Sequence, residues 1–169
     1  TSSIGAGLYD YWLVKLDPYG SVTWQQTYGA QQADVGFYGD LTSDGGFILT
    51  GYTVPENRTD KDFWLIKTDG SGNLLWSQTY GDSMNQSANF LQETADSGFI
   101  MIGETKGGST QSDILLIKTD KTGAEEWRKT IAEPGNDIPY AIKQTSNGYI
   151  MISTTTSMGA GDRDILLIK

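Results

Sequence analysis

The chain has 169 residues, of which 37% are apolar and 20% charged, with five Trp, nine Tyr and five Phe, so it has the means to bury the core of one domain and is not intrinsically disordered. Twelve basic residues against 21 acidic give a net charge of −9, a field that repels phosphate backbones and anionic lipid and speaks against nucleic acid as a partner. The absence of Cys and His removes disulfides, thiolate nucleophiles, the usual general base and most transition-metal sites, and no apolar run approaches the roughly 18 residues of a membrane helix.

The opening TSSIGAGLYD has neither a basic nor an apolar stretch of a signal peptide, so none is expected intact within these residues. DYWLVK at 10–15 is a continuous apolar run with β-branched and aromatic content, the pattern of a strand buried on both faces. Asp17 and Gly20 then form an Asp-x-x-Gly turn, in which Asp bonds its own backbone and Gly takes positive φ. Trp24 lies on the returning strand, which ends in QTYG at 26–29. A less regular strand follows, VGFYGDLT at 35–42, and a turn at Asp44-Gly45 leads into GFILTGY.

The same order then returns. DFWLIK at 62–67 is followed by Asp69, Gly72, Trp76 and QTYG at 78–81, then by SANFLQET at 87–94, a turn at Asp96-Ser97-Gly98 and TADSGFIMIG at 94–103. DILLIK at 113–118 is followed by Asp120, Gly123 and Trp127, by IPYAIKQT at 138–145, a turn at Asn147-Gly148 and TSNGYIMIS at 145–153. A fourth hexamer, DILLIK, occupies 164–169, and the four hexamers start 52, 51 and 51 residues apart. No window carries helical periodicity over about 11 residues.

Four short antiparallel strands recurring at this interval predict an all-β fold, a segment of a β-propeller with four-stranded blades, whose repeats run to about 40–50 residues. A two-sheet sandwich would accommodate the strands but not their strict period. The Asp-x-x-Gly-x-x-x-Trp hairpin resembles the tryptophan-docking motif of quinoprotein-type (PQQ-like) propellers, with a turn one residue shorter. The whole unit, WLIKTDGSGNLLWSQTYG followed by TADSGFIMIGET, is more closely similar to repeats of large secreted or surface-attached proteins of archaea and bacteria.

That resemblance implies that the hairpin joins the third and fourth strands of a blade. The chain then divides into a closing half-blade at 1–29, complete blades at 34–80 and 86–130, and the first three strands of another at 137–169. This number of blades cannot close a ring, since propellers have about 4–8. TTSMGAGDRDILLIK at 155–169 also repeats the phase of TSSIGAGLYDYWLVK at 1–15, as expected of a segment of a longer array. The implied partners are further blades of the same polypeptide or another copy of the chain, with any protein or glycan ligand undefined.

Trp24, Trp76 and Trp127, together with Asp17, Gly20, Asp69, Gly72, Asp120 and Gly123, are therefore read as structural blade-docking residues, the indoles buried between blades, rather than as a sugar platform. Trp12 and Trp64 become Leu115 and Leu166 in later copies and read as core positions. The Asp before each hexamer strand (Asp10, Asp62, Asp113, Asp164) reads as a strand-initial cap, and the hexamer Lys (Lys15, Lys67, Lys118, Lys169) as structural or edge residues. Asn57 and Asn85 fit the glycosylation sequon, Asn57 in the polar loop VPENRTDKD. No catalytic residue, cofactor or transition metal is expected, while calcium held weakly by loop oxygens stays open. The reading that results is a noncatalytic scaffold or binding module of a secreted or cell-surface repeat protein. The alternative is a fragment of a propeller enzyme, quinoprotein dehydrogenase-like or sialidase-like, although neither ligand set is recognisable.

Overall fold

The computed structural model describes residues 5, 7–107, 111–157, 159 and 162–169. Parts of the units at 1–29, 86–130 and 137–169 (residues 1–4 and 6; 108–110; 158, 160 and 161) lie outside the described residues. The described chain is all-β, with antiparallel strands in four sheets. The first sheet pairs β1 (Tyr11–Leu16) with β2 (Val22–Tyr28). The second has the order β3 (Asp34–Leu41), β4 (Phe47–Thr53), β5 (Asp62–Thr68), β6 (Leu74–Tyr80). The third repeats it with β7 (Asn85–Glu93), β8 (Phe99–Lys106), β9 (Asp113–Thr119) and β10 (Glu125–Ile131). The fourth holds β11 (Asp137–Thr145), β12 (Gly148–Thr155) and β13 (Asp164–Ile168). No helix of the described residues is long and apolar enough to cross a membrane.

Turn chemistry sets the meander. In each Asp-x-x-Gly turn one carboxylate oxygen accepts the N–H groups two and four residues on: Tyr19 and Ser21 at Asp17, Ser71 and Asn73 at Asp69, Thr122 and Ala124 at Asp120, all at 2.8 or 2.9 Å. The glycine N–H closes the turn on the Asp carbonyl, and its φ is +85°, +80° and +82° at Gly20, Gly72 and Gly123, a region an L side chain enters only with strain. The first strand of each larger sheet carries a β-bulge, between Gly36 and Tyr38, Ala88 and Phe90, and Pro139 and Ala141. That extra residue is why these strands read as the least regular of the unit.

The sheets pack in chain order. β7 lies against β3, β4 and β5, and β11 against β7, β8 and β9. A strand sandwiched in this way must be apolar on both faces. β8 turns Phe99 and Met101 into the core shared with the second sheet, and Ile100 and Ile102 into the core shared with the fourth. β9 divides likewise, Leu115 and Ile117 to one side and Ile114 and Leu116 to the other. β5 presents Leu65 to the third sheet and Ile66 to the cluster formed with Tyr11 and Tyr28 of the first. The hexamers of β1 and β13 depart from the expected two-faced burial: Trp12 is 51% and Ile165 75% exposed, because each strand has a neighbouring sheet on one side among the described residues. Trp12 is therefore corrected from core to surface, its indole N–H donating to Gln25 Oε1, while Trp64 is half-buried edge-on to Tyr11.

Candidate functional site

Successive sheets are joined by a repeated device built from the returning strand of one unit and the Asp-x-x-Gly turn of the next. The Tyr28 hydroxyl donates to the Gly72 carbonyl at 2.6 Å, and the Tyr80 hydroxyl to the Gly123 carbonyl at 2.6 Å. Burial, and secondarily the charge of Asp69, pushes the Tyr28 hydroxyl up to about 12, and burial with Glu125 and Asp120 raises Tyr80 as well. Beside each bond lies the indole from the same strand. A Cβ on Gly72 would stand 2.8 Å from Cζ3 of Trp24, and one on Gly123 2.8 Å from Cζ3 of Trp76. The rings also meet an aromatic of the next sheet edge-on or tilted: Trp24 with Phe47, Trp76 with Phe99, Trp127 with Tyr149.

The three indoles thus sit at equivalent register, each partly rather than fully buried. Trp24 and Trp76 are half-buried and Trp127 is 36% exposed. The buried member of the joint is the tyrosine, 8% exposed at Tyr28 and 5% at Tyr80. Its signal was present in the repeated QTYG, where the third unit has Ile131 in place of Tyr and no hydroxyl to donate.

The hexamer lysines form a second repeated element. Lys67 and Lys118 are almost fully buried; each donates to the carbonyl of the following Thr and to a carboxylate of the second hairpin turn, Asp44 at 2.9 Å and Asp96 at 3.0 Å. Hydrogen bonds from Thr42, Lys67 and Gly46 hold Asp44 down at about 2, and Thr94, Lys118 and Gly98 do the same for Asp96. Lys118 has a further partner in Glu126 at 3.1 Å. Lys15 and Lys169 are exposed.

The strand-initial aspartates are more than caps. Three of them, Asp10, Asp62 and Asp113, lie where one sheet hands over to the next, and the N–H of Asp34, Gln86 and Asp137 donates to the carbonyl just before each, at 2.8, 2.7 and 2.8 Å. At the first junction Asp34 accepts the Ala30 N–H at 2.8 Å and Asp10 the Gly7 N–H at 3.3 Å. At the second, Arg58 forks onto Asp62 at 2.9 and 3.3 Å and reaches the Asp82 carbonyl, and the facing residue is the neutral Gln86. At the third, Asp113 faces Asp137, and burial together with the Asp137 charge raises the Asp113 carboxyl. Among the described residues no group of three or more His, Cys, Asp or Glu is arranged to hold a metal.

A cleft of about 630 Å³ opens beside β1 along β3 and β4, lined among others by Trp12, Leu13, Leu41, Phe47 and Leu49. Of the two sequon asparagines, Asn57 is exposed in a turn with φ 64°, while the exposed Asn85 accepts the Lys61 N–H through Oδ1 and opens β7. No family model matches the chain, and no curated protein matches it.

Proposed function

We propose that the chain is a segment of a β-propeller of the quinoprotein-like class, acting as a noncatalytic scaffold or binding module in a secreted or cell-surface protein. The observation that carries this reading is the recurrence of one joint, tyrosine hydroxyl onto glycine carbonyl with the indole beside it, from the first to the second sheet and again from the second to the third. Radially arranged sheets need the same relation at every step, and repeat architectures obtain it by nearest-neighbour contacts. The cleft beside β1 supports the further reading that additional blades cover the segment, because among the described residues the face of β3 and β4 there has only the two-stranded first sheet against it, whereas β7 and β11 each pack on three strands of a four-stranded sheet.

The test is a structure of a longer polypeptide containing this segment, paired with light scattering of residues 1–169. Closed rings in which the β3–β4 face is covered by a further four-stranded sheet are expected. An isolated segment that is monomeric and closed on itself overturns the reading. Stoichiometric uptake of the quinone in the presence of calcium, followed by absorbance, would replace the scaffold with a quinoprotein enzyme.

A further inference from the structure

The three sheet-to-sheet junctions place the same backbone bond beside the same strand-initial aspartate, yet balance its charge differently. In the first, both carboxylates receive backbone N–H groups. In the second, the guanidinium of Arg58 lies on Asp62 and the facing residue is uncharged. In the third, the facing residue is again a carboxylate, Asp137, which is 0% exposed, and neither of its oxygens accepts a hydrogen bond from the described residues. A fully buried carboxylate without a partner is destabilised by several kcal/mol, and a second carboxylate beside it adds repulsion. The second junction indicates what resolves this: a cation at the strand-initial aspartate, supplied there by the chain itself.

We propose that the Asp113–Asp137 junction binds one hard divalent cation of the calcium class, which takes the place that Arg58 fills one unit earlier. Both donors are oxygens and together carry two negative charges, which a divalent ion neutralises. The absence of Cys and His leaves the softer, nitrogen- and sulfur-seeking metals without their preferred ligands. Calcium takes about six to eight oxygens, so two carboxylates leave the remainder to backbone oxygens and water, and the affinity belongs to the weak extracellular range, on the order of 10⁻⁴ to 10⁻³ M. The ion fastens the start of β11 to the start of β9, linking the third and fourth sheets.

The experiment is calorimetric titration of the 169-residue chain with calcium chloride, alongside thermal unfolding in chelator and in calcium. One site per chain is expected, with a rise in Tm in calcium. Asp137→Asn should abolish the site and its Tm response, and in chelator should fold at least as well as the parent, since it removes an uncompensated charge. Asp162→Asn, on the exposed surface, should leave both unchanged. No calcium heat and no Tm shift in the parent, or a response that Asp137→Asn retains, overturns the proposal. A carboxyl pair that instead titrates one shared proton and ignores calcium overturns it equally.

Discussion

The hydroxyl of Tyr28 and the carbonyl of Gly72 lie 44 positions apart in sequence and 2.6 Å apart in space, in consecutive sheets. Both residues are buried, so the carbonyl has no water to replace a lost donor. Tyr28→Phe and Tyr80→Phe should each cost about 1–3 kcal/mol, the penalty of one buried unsatisfied acceptor, read as a lower urea midpoint with an unchanged m-value. A cost within experimental error at both positions would show that the hydroxyls are incidental to the joint.

Alanine at the turn glycines separates backbone strain from contact between sheets. Gly20, Gly72 and Gly123 share a positive φ, but a Cβ on Gly20 meets nothing within 4 Å, whereas on Gly72 it meets Trp24 at 2.8 Å. Gly20→Ala should therefore cost only the left-handed penalty of about 1–2 kcal/mol. Gly72→Ala should cost more and should shift the Trp24 fluorescence. Equal losses at the two sites would refute contact across the joint as the reason for glycine at 72.

Stability should fall at both pH extremes for identifiable reasons. The Tyr28 hydroxyl is raised from 10.0 to about 12, so the folded chain keeps a proton that the unfolded chain has released. Its contribution is intact below pH 10 and disappears between 10 and 12. Asp44 and Asp96 are lowered from 3.8 to about 2, so theirs is intact above pH 3.8 and disappears as pH falls toward 2. At neutral pH Asp44→Asn should destabilise more than Asp96→Asn, since Lys118 retains Glu126 and Lys67 has no second carboxylate partner among the described residues. The reverse order in urea titrations would count against the lysine pairing.

The three indoles should not be equivalent. Trp76 lies over Gly123 and beside Phe99, and Trp127 meets Tyr149 but, among the described residues, no following turn. Trp76→Ala should cost about 2–4 kcal/mol and Trp127→Ala about 1. Thermal unfolding of the pair distinguishes them, and a larger loss at Trp127 would contradict the exposures described above.

The meander was legible in sequence because its causes are local. Asp17, Asp69 and Asp120 bond N–H groups within four residues of themselves, and the alternating, doubly apolar content of FIMIG and DILLI names both faces of β8 and β9 without knowledge of what covers them. The joint was half legible. The Trp offset marked the right place, but indole size drew attention away from the tyrosine four residues on, which carries the buried bond. The junction pairs were not legible, because Asp10 meets Asp34, Asp62 meets Gln86 and Asp113 meets Asp137 only after one sheet has been laid on the next, and the facing residue changes from unit to unit.

The Tyr–Gly joint is written entirely in two consecutive units: donor in one, acceptor in the next, nothing shared with a third. Duplicating or deleting the second unit of about 51 residues, which carries both the Gly72 acceptor and the Tyr80 donor, therefore leaves every remaining joint with both of its halves. Unequal recombination between tandem copies can change how many sheets such a gene encodes without inventing a new interface, while a crossover out of phase with the repeat would orphan a donor or an acceptor and be selected against. Copy number is in this sense a heritable variable that the geometry of one hydrogen bond leaves free.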